Sequence, residues 1–434
     1  MTPRSGARIS VIIRRSLPTA IQQSWVLVIA NLASQVLSYL FQLFMSRNLS
    51  RAEFGLLNGL MAFSLLLTIP VSTIQLSIAR QTAETVVRKS YDQVRGYLRA
   101  DLRQASPFIL AGFLVYLLLS SMLASFFHTS LMPIWLVGAI SLVSLYLPFA
   151  SGVLQGMQWF QPLAGTILAR YVGKVGLGVL LVAIGMGVEG ALAALALCTL
   201  VAVLYAFAVV ATGQGRAGVE TDALPDSELV EDKDIWPTLA TYASIVILMN
   251  LDVSLARHYL SPADSANYAI AALLGKIAYW LPNFLTLIIV PKVASAHALG
   301  RPTRRYLWAG LVSTVAVSAT VVVIFWLFPQ QAISVLFGSK YASLETSRLV
   351  FYYSVAMLVL SLLYFEAHYL LARRYTRPLF GLLAAPALSL AGMILWHESG
   401  FELIGAVILG LLVGLLASNL LILARRRFSS LTCA

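Results

Sequence analysis

The sequence predicts an all-α integral membrane protein of about twelve transmembrane helices, in two six-helix lobes related as parallel repeats. Three observations carry this. Of 434 residues, 59% are hydrophobic and 11% charged, whereas a soluble protein carries about 25% charged residues; a soluble chain of this length needs polar surface that this one lacks. Twelve mainly apolar stretches each approach the roughly 20 residues that span a bilayer. The basic residues also fall overwhelmingly into alternate connecting segments.

The spans are expected at roughly 22–46, 54–79, 105–127, 133–156, 163–186, 189–212, 237–260, 266–290, 306–328, 344–371, 378–396 and 402–424. Residues 1–21 precede them and carry Arg4, Arg8, Arg14 and Arg15. The charge resembles the start of a signal peptide, but the next apolar stretch is long enough to span and no cleavage site with a soluble domain follows. The arm is therefore read as cytoplasmic. Pro70, Pro148, Pro282 and Pro386 fall inside spans, which membrane helices tolerate because neighbours re-satisfy the freed backbone groups. The alternating patterning of a β-barrel is absent.

With the N-terminus inside, the inner segments hold 21 basic residues, among them Arg80, Arg95, Arg301, Arg304, Arg373 and Arg425, and the outer loops hold three, Arg47, Arg51 and Lys340. This asymmetry places both termini, including the tail 425–434, in the cytoplasm. It also accounts for the net charge of +12 without nucleic acid. The segment 213–235 differs, with seven acidic residues against two basic ones, and reads as a flexible cytoplasmic linker. It divides the chain into an N-lobe, 22–212 (helices 1–6), and a C-lobe, 236–424 (helices 7–12).

An even number of helices per half gives both halves the same orientation, the mark of parallel repeats. An echo supports this: "NLSRAEFGLLNGLMAFSLLLTIPVS" (48–72) aligns with "YLSPADSANYAIAALLGKIAYWLPN" (259–283), matching Ser50 to Ser261 and Glu53 to Asp264.

The run "NLDVSLARHYLSPADSANYAIAALLGKIAYWLPNFLTLIIVPKVA" (250–294) resembles the seventh and eighth helices of polysaccharide flippases of the multidrug, oligosaccharidyl-lipid and polysaccharide exporter superfamily. "NLSRAEFGLLNGLMAFSLLLTIPVSTIQLSIAR" (48–80) is similar to the first hairpin of that family, and "LFGSKYASLETSRLVFYYSVAML" (336–358) to its outer loop and tenth helix. The resemblance implies two lobes around a central cavity that opens alternately to each side. It also implies a polyprenyl-pyrophosphate-linked glycan as substrate, a place in a bacterial or archaeal cytoplasmic membrane, and work alongside a polysaccharide polymerase and glycosyltransferases.

Six cations remain in or near spans: Arg170, Lys174, Arg257, Lys276, Lys292 and Arg348; the acidic candidates are Asp252 and Glu366. Such charges cost at least a few kcal/mol at the bilayer centre and normally face a cavity or a partner. Lys276 and Lys174 lie near the midplane, and Arg170 precedes Lys174 by one turn on the same face. Arg257 and Arg348 lie shallow enough to snorkel to the outer interface. The expected substrate-binding cations are Lys276, Arg257, Lys174 and Arg170, because arginine and lysine both recognise phosphate. Asp252 stands either in a bridge with Lys276 or in ion coupling; Glu366, with His368, in proton coupling or at the interface, the latter being favoured. Gln42, Asn58, Gln75 and Asn250 are candidates for sugar contacts or for interhelical hydrogen bonds.

The two cysteines and five histidines form no ligand cluster, so no metal or cofactor is expected; a proton or sodium gradient is left open as the driving force. Walker loops and nucleophile elbows are absent. An integral-membrane glycan ligase or glycosyltransferase would need a catalytic outer loop, and the longest here is about 15 residues, 329–343. A drug–cation antiporter would favour an acidic cavity, whereas deep basic residues outnumber acidic ones.

Overall fold

The computed structural model describes residues 5–88, 91–213, 235–373, 375 and 379–431. Among these the regular structure is helical: α1 (Ser5–Asn48), α2 (Arg51–Leu67), α3 (Val71–Arg88), α4 (Tyr91–Leu118), α5 (Ser120–Phe126), α6 (Leu131–Gly156), α7 (Phe160–Ala183), α8 (Gly187–Thr212), α9 (Ile235–Tyr259), α10 (Pro262–Gly275), α11 (Ile277–Ala298), α12 (Arg304–Leu327), α13 (Pro329–Phe337), α14 (Leu344–Ala372), α15 (Leu379–Leu395) and α16 (Gly400–Leu431). Nearly all of the expected linker, and with it Arg216 and Lys233, lies outside the described residues, as do Arg4, Lys89, Arg374 and Arg377.

Ten helical stretches of the described chain are long and apolar enough to cross a membrane. The two shortfalls against twelve have local causes. The third expected span is α4 and α5, bent by 56° at their junction. The eleventh is α15, an apolar helix of 17 described residues that follows directly on positions outside the described ones. The first span is Trp25–Asn48, but its helix, α1, extends back through the expected N-terminal arm to Ser5. Large apolar side chains such as Phe108, Leu118, Trp280 and Leu395 are exposed; a soluble fold would bury them, and here they face lipid. The protein is an all-helical, multi-pass membrane protein.

The chain forms two compact units: Met1–Met45, Val71–Ser120 and Trp135–Ser227 in the first, and Ser46–Pro70, Ser121–Ile134 and Glu228–Ala434 in the second. The first unit packs around Phe149, Leu154, Trp159, Leu163 and Val209. The Tyr91 hydroxyl ties the start of α4 to the carbonyl of Val210 near the end of α8.

The second unit takes in two short pieces of the first half of the sequence, and side chains explain why. The motif Gly55-Leu56-Leu57-Asn58-Gly59 puts two glycines on one face of α2, the small-xxx-small spacing that lets helices approach closely in a membrane. A Cβ on Gly55 would stand 2.5 Å from Ser265 Oγ of α10, and one on Gly59 would stand 2.8 Å from Arg257 Cβ of α9. Ser254 of α9 also donates to the Gly59 carbonyl at 3.3 Å.

The sequence echo is a pair of helix caps. Ser50 Oγ accepts the Glu53 N–H at 3.2 Å, and Glu53 Oε2 accepts the Ser50 N–H at 2.9 Å, a complete capping box at the start of α2. Ser261 Oγ accepts the Asp264 N–H at 3.2 Å in the same way at the start of α10. At this capped end of the unit the expected outer loop is structured as α13 and a 3₁₀ turn, Ser339–Tyr341. It closes over the end of α1: Arg47 Nη2 donates to Val335 O at 2.8 Å, and Lys340 Nζ to Leu49 O at 2.8 Å. A cation there meets carbonyls left unpaired by the helix end and the negative pole of its dipole.

Both helix pairs that begin at these caps are broken. Pro70 has no N–H to give to Leu66 O, which instead accepts from Ile69 at 3.4 Å. In the second half α10 gives way to α11 at Lys276, and Pro282 leaves Ala278 O without its usual donor. Ser318 of α12 supplies one, with Oγ at 2.8 Å from that carbonyl, and Ser361 of α14 supports Ser318 at 3.1 Å. Both serines are fully buried, so the kink costs no unpaired carbonyl.

Candidate functional site

In the first unit, Lys174 projects from the middle of α7 and is buried. Its Nζ is 3.1 Å from Ser38 Oγ of α1 and 4.4 Å from the centroid of the Phe41 ring, with the Tyr171 ring at 5.9 Å. A cation–π contact of this kind partly replaces lost hydration. The charge that acts on it is the like charge of Arg170, one turn earlier and half-buried; among the described residues no carboxylate answers it. Two cations on one helix face, beside a hydroxyl and two aromatic rings, make a site that lacks an anion. Gln42, buried, follows Phe41 on α1. Gln75 of α3 donates from Nε2 to Gln155 Oε1 of α6 at 2.9 Å.

The second unit contains a carboxylate centre. Asp252 of α9 is 1% exposed, a depth at which a carboxylate requires donors. Its Oδ2 accepts from Tyr353 of α14 at 2.7 Å and from Tyr268 of α10 at 2.9 Å. The two rings meet nearly edge to face with centroids 5.7 Å apart. Gly275 lets the end of α10 close on α14, since a Cβ there would stand 2.6 Å from the Tyr353 ring. Oδ1 of Asp252 has no hydrogen-bond partner. The opposite charge that acts on Asp252 is Lys276, at the α10–α11 break. Sequence reasoning offered a bridge with Lys276 as one of two roles for Asp252 and missed both tyrosines, which lie 16 and 101 residues away along the chain.

Arg257 lies one turn beyond Val253 on α9. It is buried, its stem rests on Gly59, and its Nη2 is 3.4 Å from the His128 carbonyl. The adjacent His258 stacks on Phe126 at 3.9 Å and contacts its carbonyl through Nδ1 at 2.8 Å. This pair fastens α9 to the turn after α5 at the capped end.

Glu366 is buried on α14, where α16 supplies donors: Ser418 Oγ to Oε1 at 3.0 Å and Asn419 Nδ2 to Oε2 at 3.3 Å. His368 turns Nδ1 to the Tyr364 carbonyl at 2.8 Å, with Tyr242 Oη 3.5 Å from Nε2. Asn58 and Asn250 direct their amide donors to their own helices, to Phe54 O and Val246 O, both at 2.9 Å. Each commits one of its two amide N–H donors to its own helix and keeps the other donor and the oxygen acceptor. Lys292 and Arg348 are exposed. The described residues contain no group of three or more metal-ligating side chains.

The polysaccharide biosynthesis protein family matches residues 20–294 of this chain, a stretch that includes Arg170, Lys174, Asp252, Arg257 and Lys276. The chain belongs to that family. Solved structures agree on the fold. The lipid II flippase MurJ in an inward closed conformation superposes with a TM-score of 0.70 at 14% identity, covering 91% of this chain and 87% of that one. An inward-facing multidrug resistance MATE transporter of the MOP superfamily gives 0.65 at 15% identity, over 92% of this chain and 96% of that one. An outward-facing member of the same transporter family gives 0.60 at 12% identity, over 96% and 97%. No curated protein matches the chain at a comparable level. At these identities the superpositions establish the transporter fold; the family match places that fold in polysaccharide biosynthesis.

Proposed function

We propose that the protein flips a polyprenyl-pyrophosphate-linked oligosaccharide, a polysaccharide repeat unit, from the cytoplasmic to the outer leaflet by alternating access. The observation that carries this is the pairing of buried Lys174 with half-buried Arg170 on one helix face, with no carboxylate acting on Lys174 among the described residues. A desolvated ammonium with only a hydroxyl and aromatic faces around it gains most from a bound anion, and the pyrophosphate is the constant feature of such substrates. The site is non-catalytic: it binds and releases charge without making or breaking a bond.

Lys276 and Asp252 have a second role in this account. Asp252 keeps one oxygen unpartnered beside Lys276, so it can exchange a proton or a sodium ion as the substrate moves, and Glu366 is a further candidate for such coupling. Six helices in each half of the sequence, 22–212 and 236–424, would make the chain a pair of parallel repeats, the architecture that alternating access uses. Both termini would lie in the cytoplasm of a bacterial or archaeal cell; glycosyltransferases would supply the lipid-linked chain on that side, and a polymerase would consume it on the other.

A second reading, export of organic cations by ion exchange, is favoured by one observation, the buried Asp252 carboxylate with its free oxygen. A sidedness assay separates the two. Proteoliposomes carrying a fluorescent polyprenyl-pyrophosphate glycan should lose protected label faster than protein-free vesicles. Equal rates under every proton and sodium gradient, together with gradient-driven uptake of a cationic dye, would replace the first reading with the second.

A further inference from the structure

Away from these sites, α14 and α16 leave an open groove of about 450 Å³ in the second unit, lined by Arg348, Tyr352, Phe401, Ile404, Gly405 and Ile408. Its chemistry is graded. At one end stands Arg348, exposed and without a hydrogen bond or ion pair to any described residue. The rings of Tyr352 and Phe401 come next, edge to face at 6.0 Å. The floor beyond them, Ile404 to Ile408, is one apolar turn of α16. Arg348 is four residues into α14 and Ile408 eight residues into α16, so at 1.5 Å per residue the groove descends from about 6 Å to about 12 Å below the helix ends. That interval is where headgroups give way to hydrocarbon.

Nearby carboxylates leave Arg348 its charge. Glu345 lies one turn before it, in the first turn of α14, where the helix dipole favours an anion. Glu402 is occupied at the start of α16, accepting the Glu398 N–H at 2.9 Å. We propose that this groove binds an anionic phospholipid of the adjacent leaflet, with the phosphate on Arg348 and one acyl chain along Ile404, Gly405 and Ile408. The guanidinium fork matches a phosphate, the aromatic pair sits at glycerol depth, and the apolar floor takes the chain. The site is separate from the cations proposed to hold transported substrate.

Gly405 makes the proposal testable without disturbing Arg348, because a Cβ there meets nothing within 4 Å. Gly405→Phe should therefore project into the groove and leave the helices packed. The full-length protein is placed in nanodiscs with phosphatidylglycerol or phosphatidylcholine bearing a photoactivatable acyl chain, and crosslinked peptides are mapped by mass spectrometry. Expected is labelling of 404–408, several-fold stronger from phosphatidylglycerol. Arg348→Ala should abolish that preference, Arg348→Lys should retain part of it, and Gly405→Phe should suppress labelling by both lipids with an unchanged melting temperature. Excess inorganic phosphate should leave labelling unchanged. Equal labelling of wild type by the two lipids, a preference that survives Arg348→Ala, or stronger labelling from a polyprenyl phosphate than from phosphatidylglycerol would each overturn the proposal.

Discussion

Gly59 lies against the stem of Arg257, so close that a Cβ on the glycine would stand 2.8 Å from Arg257 Cβ. The contact joins α2, from the first half of the sequence, to α9, from the second, and Ser254 reinforces it through the Gly59 carbonyl. Sequence reasoning considered Arg257 only for its charge, as a snorkelling or a cavity cation; its aliphatic part is also the surface on which a glycine face closes.

Loosening that contact should expose the capped end. Gly59→Ala forces α2 away from α9 and should cost about 1–3 kcal/mol of local packing. In a background lacking Cys198 and Cys433, a cysteine placed at Ser254, now buried, should then react several-fold faster with a membrane-impermeant thiol reagent. Unchanged reactivity would mean that the glycine is not what holds the two helices together.

The Asp252 centre should be structural as well as functional. Tyr353→Phe removes the 2.7 Å donor and should destabilise the protein by about 1–3 kcal/mol, since hydrogen bonds to charged groups are worth more than neutral ones. Thermal unfolding in detergent measures this. Asp252→Asn, which keeps the shape and removes the charge, should lower transport more than stability if the free oxygen carries the coupling ion.

Pro282 and Ser318 form a compensating pair. Ser318→Ala should cost about 1–3 kcal/mol because Ala278 O is left buried and unpaired. With Pro282→Ala the backbone N–H returns, and the same serine substitution should cost much less. A double-mutant cycle reads the coupling directly; simple additivity would show that Ser318 does not serve the kink.

Much of this was legible in local patterns. Spans of about 20 apolar residues announce themselves, and Ser50 with Glu53, or Ser261 with Asp264, is a cap readable three residues apart. Gly55 and Gly59 also carry a readable spacing. Lys174 and Asp252 stood out because charge is expensive within an apolar run. What surrounds them did not stand out. Ser38 is 136 residues from Lys174 and Tyr353 is 101 from Asp252, and no periodicity links such pairs. Tyr268 had a faint signal, as the one large polar side chain among the alanines of α10. The burial of Glu366 was hidden for the same reason, because its donors come from α16.

Lys340 offers a test at the capped end, outside the spans. Its partial burial pushes the ammonium below its ordinary range, the like charge of Arg51 adds to this, and Glu53 opposes it. Competitive acetylation across pH should therefore place its titration below that of an exposed lysine. Arg51→Ala should move it upward and Glu53→Gln further downward. Because the folded state disfavours the charged form, this lysine's contribution to stability should improve as pH rises through its lowered pKa toward the ordinary lysine value. An upward shift in Glu53→Gln would contradict the assignment.

The central claim is that Lys174 receives the anionic part of a lipid-linked glycan. It is tested most directly by the initial rate at which a fluorescent polyprenyl-pyrophosphate glycan crosses proteoliposomes containing Lys174→Ala, compared with wild type and Lys174→Arg. A buried charge contact of this kind is worth at least about 1.4 kcal/mol, or tenfold. Lys174→Ala should therefore fall at least about tenfold at equal reconstitution, while Lys174→Arg retains most of the rate. A Lys174→Ala protein that transports at the wild-type rate would contradict the account.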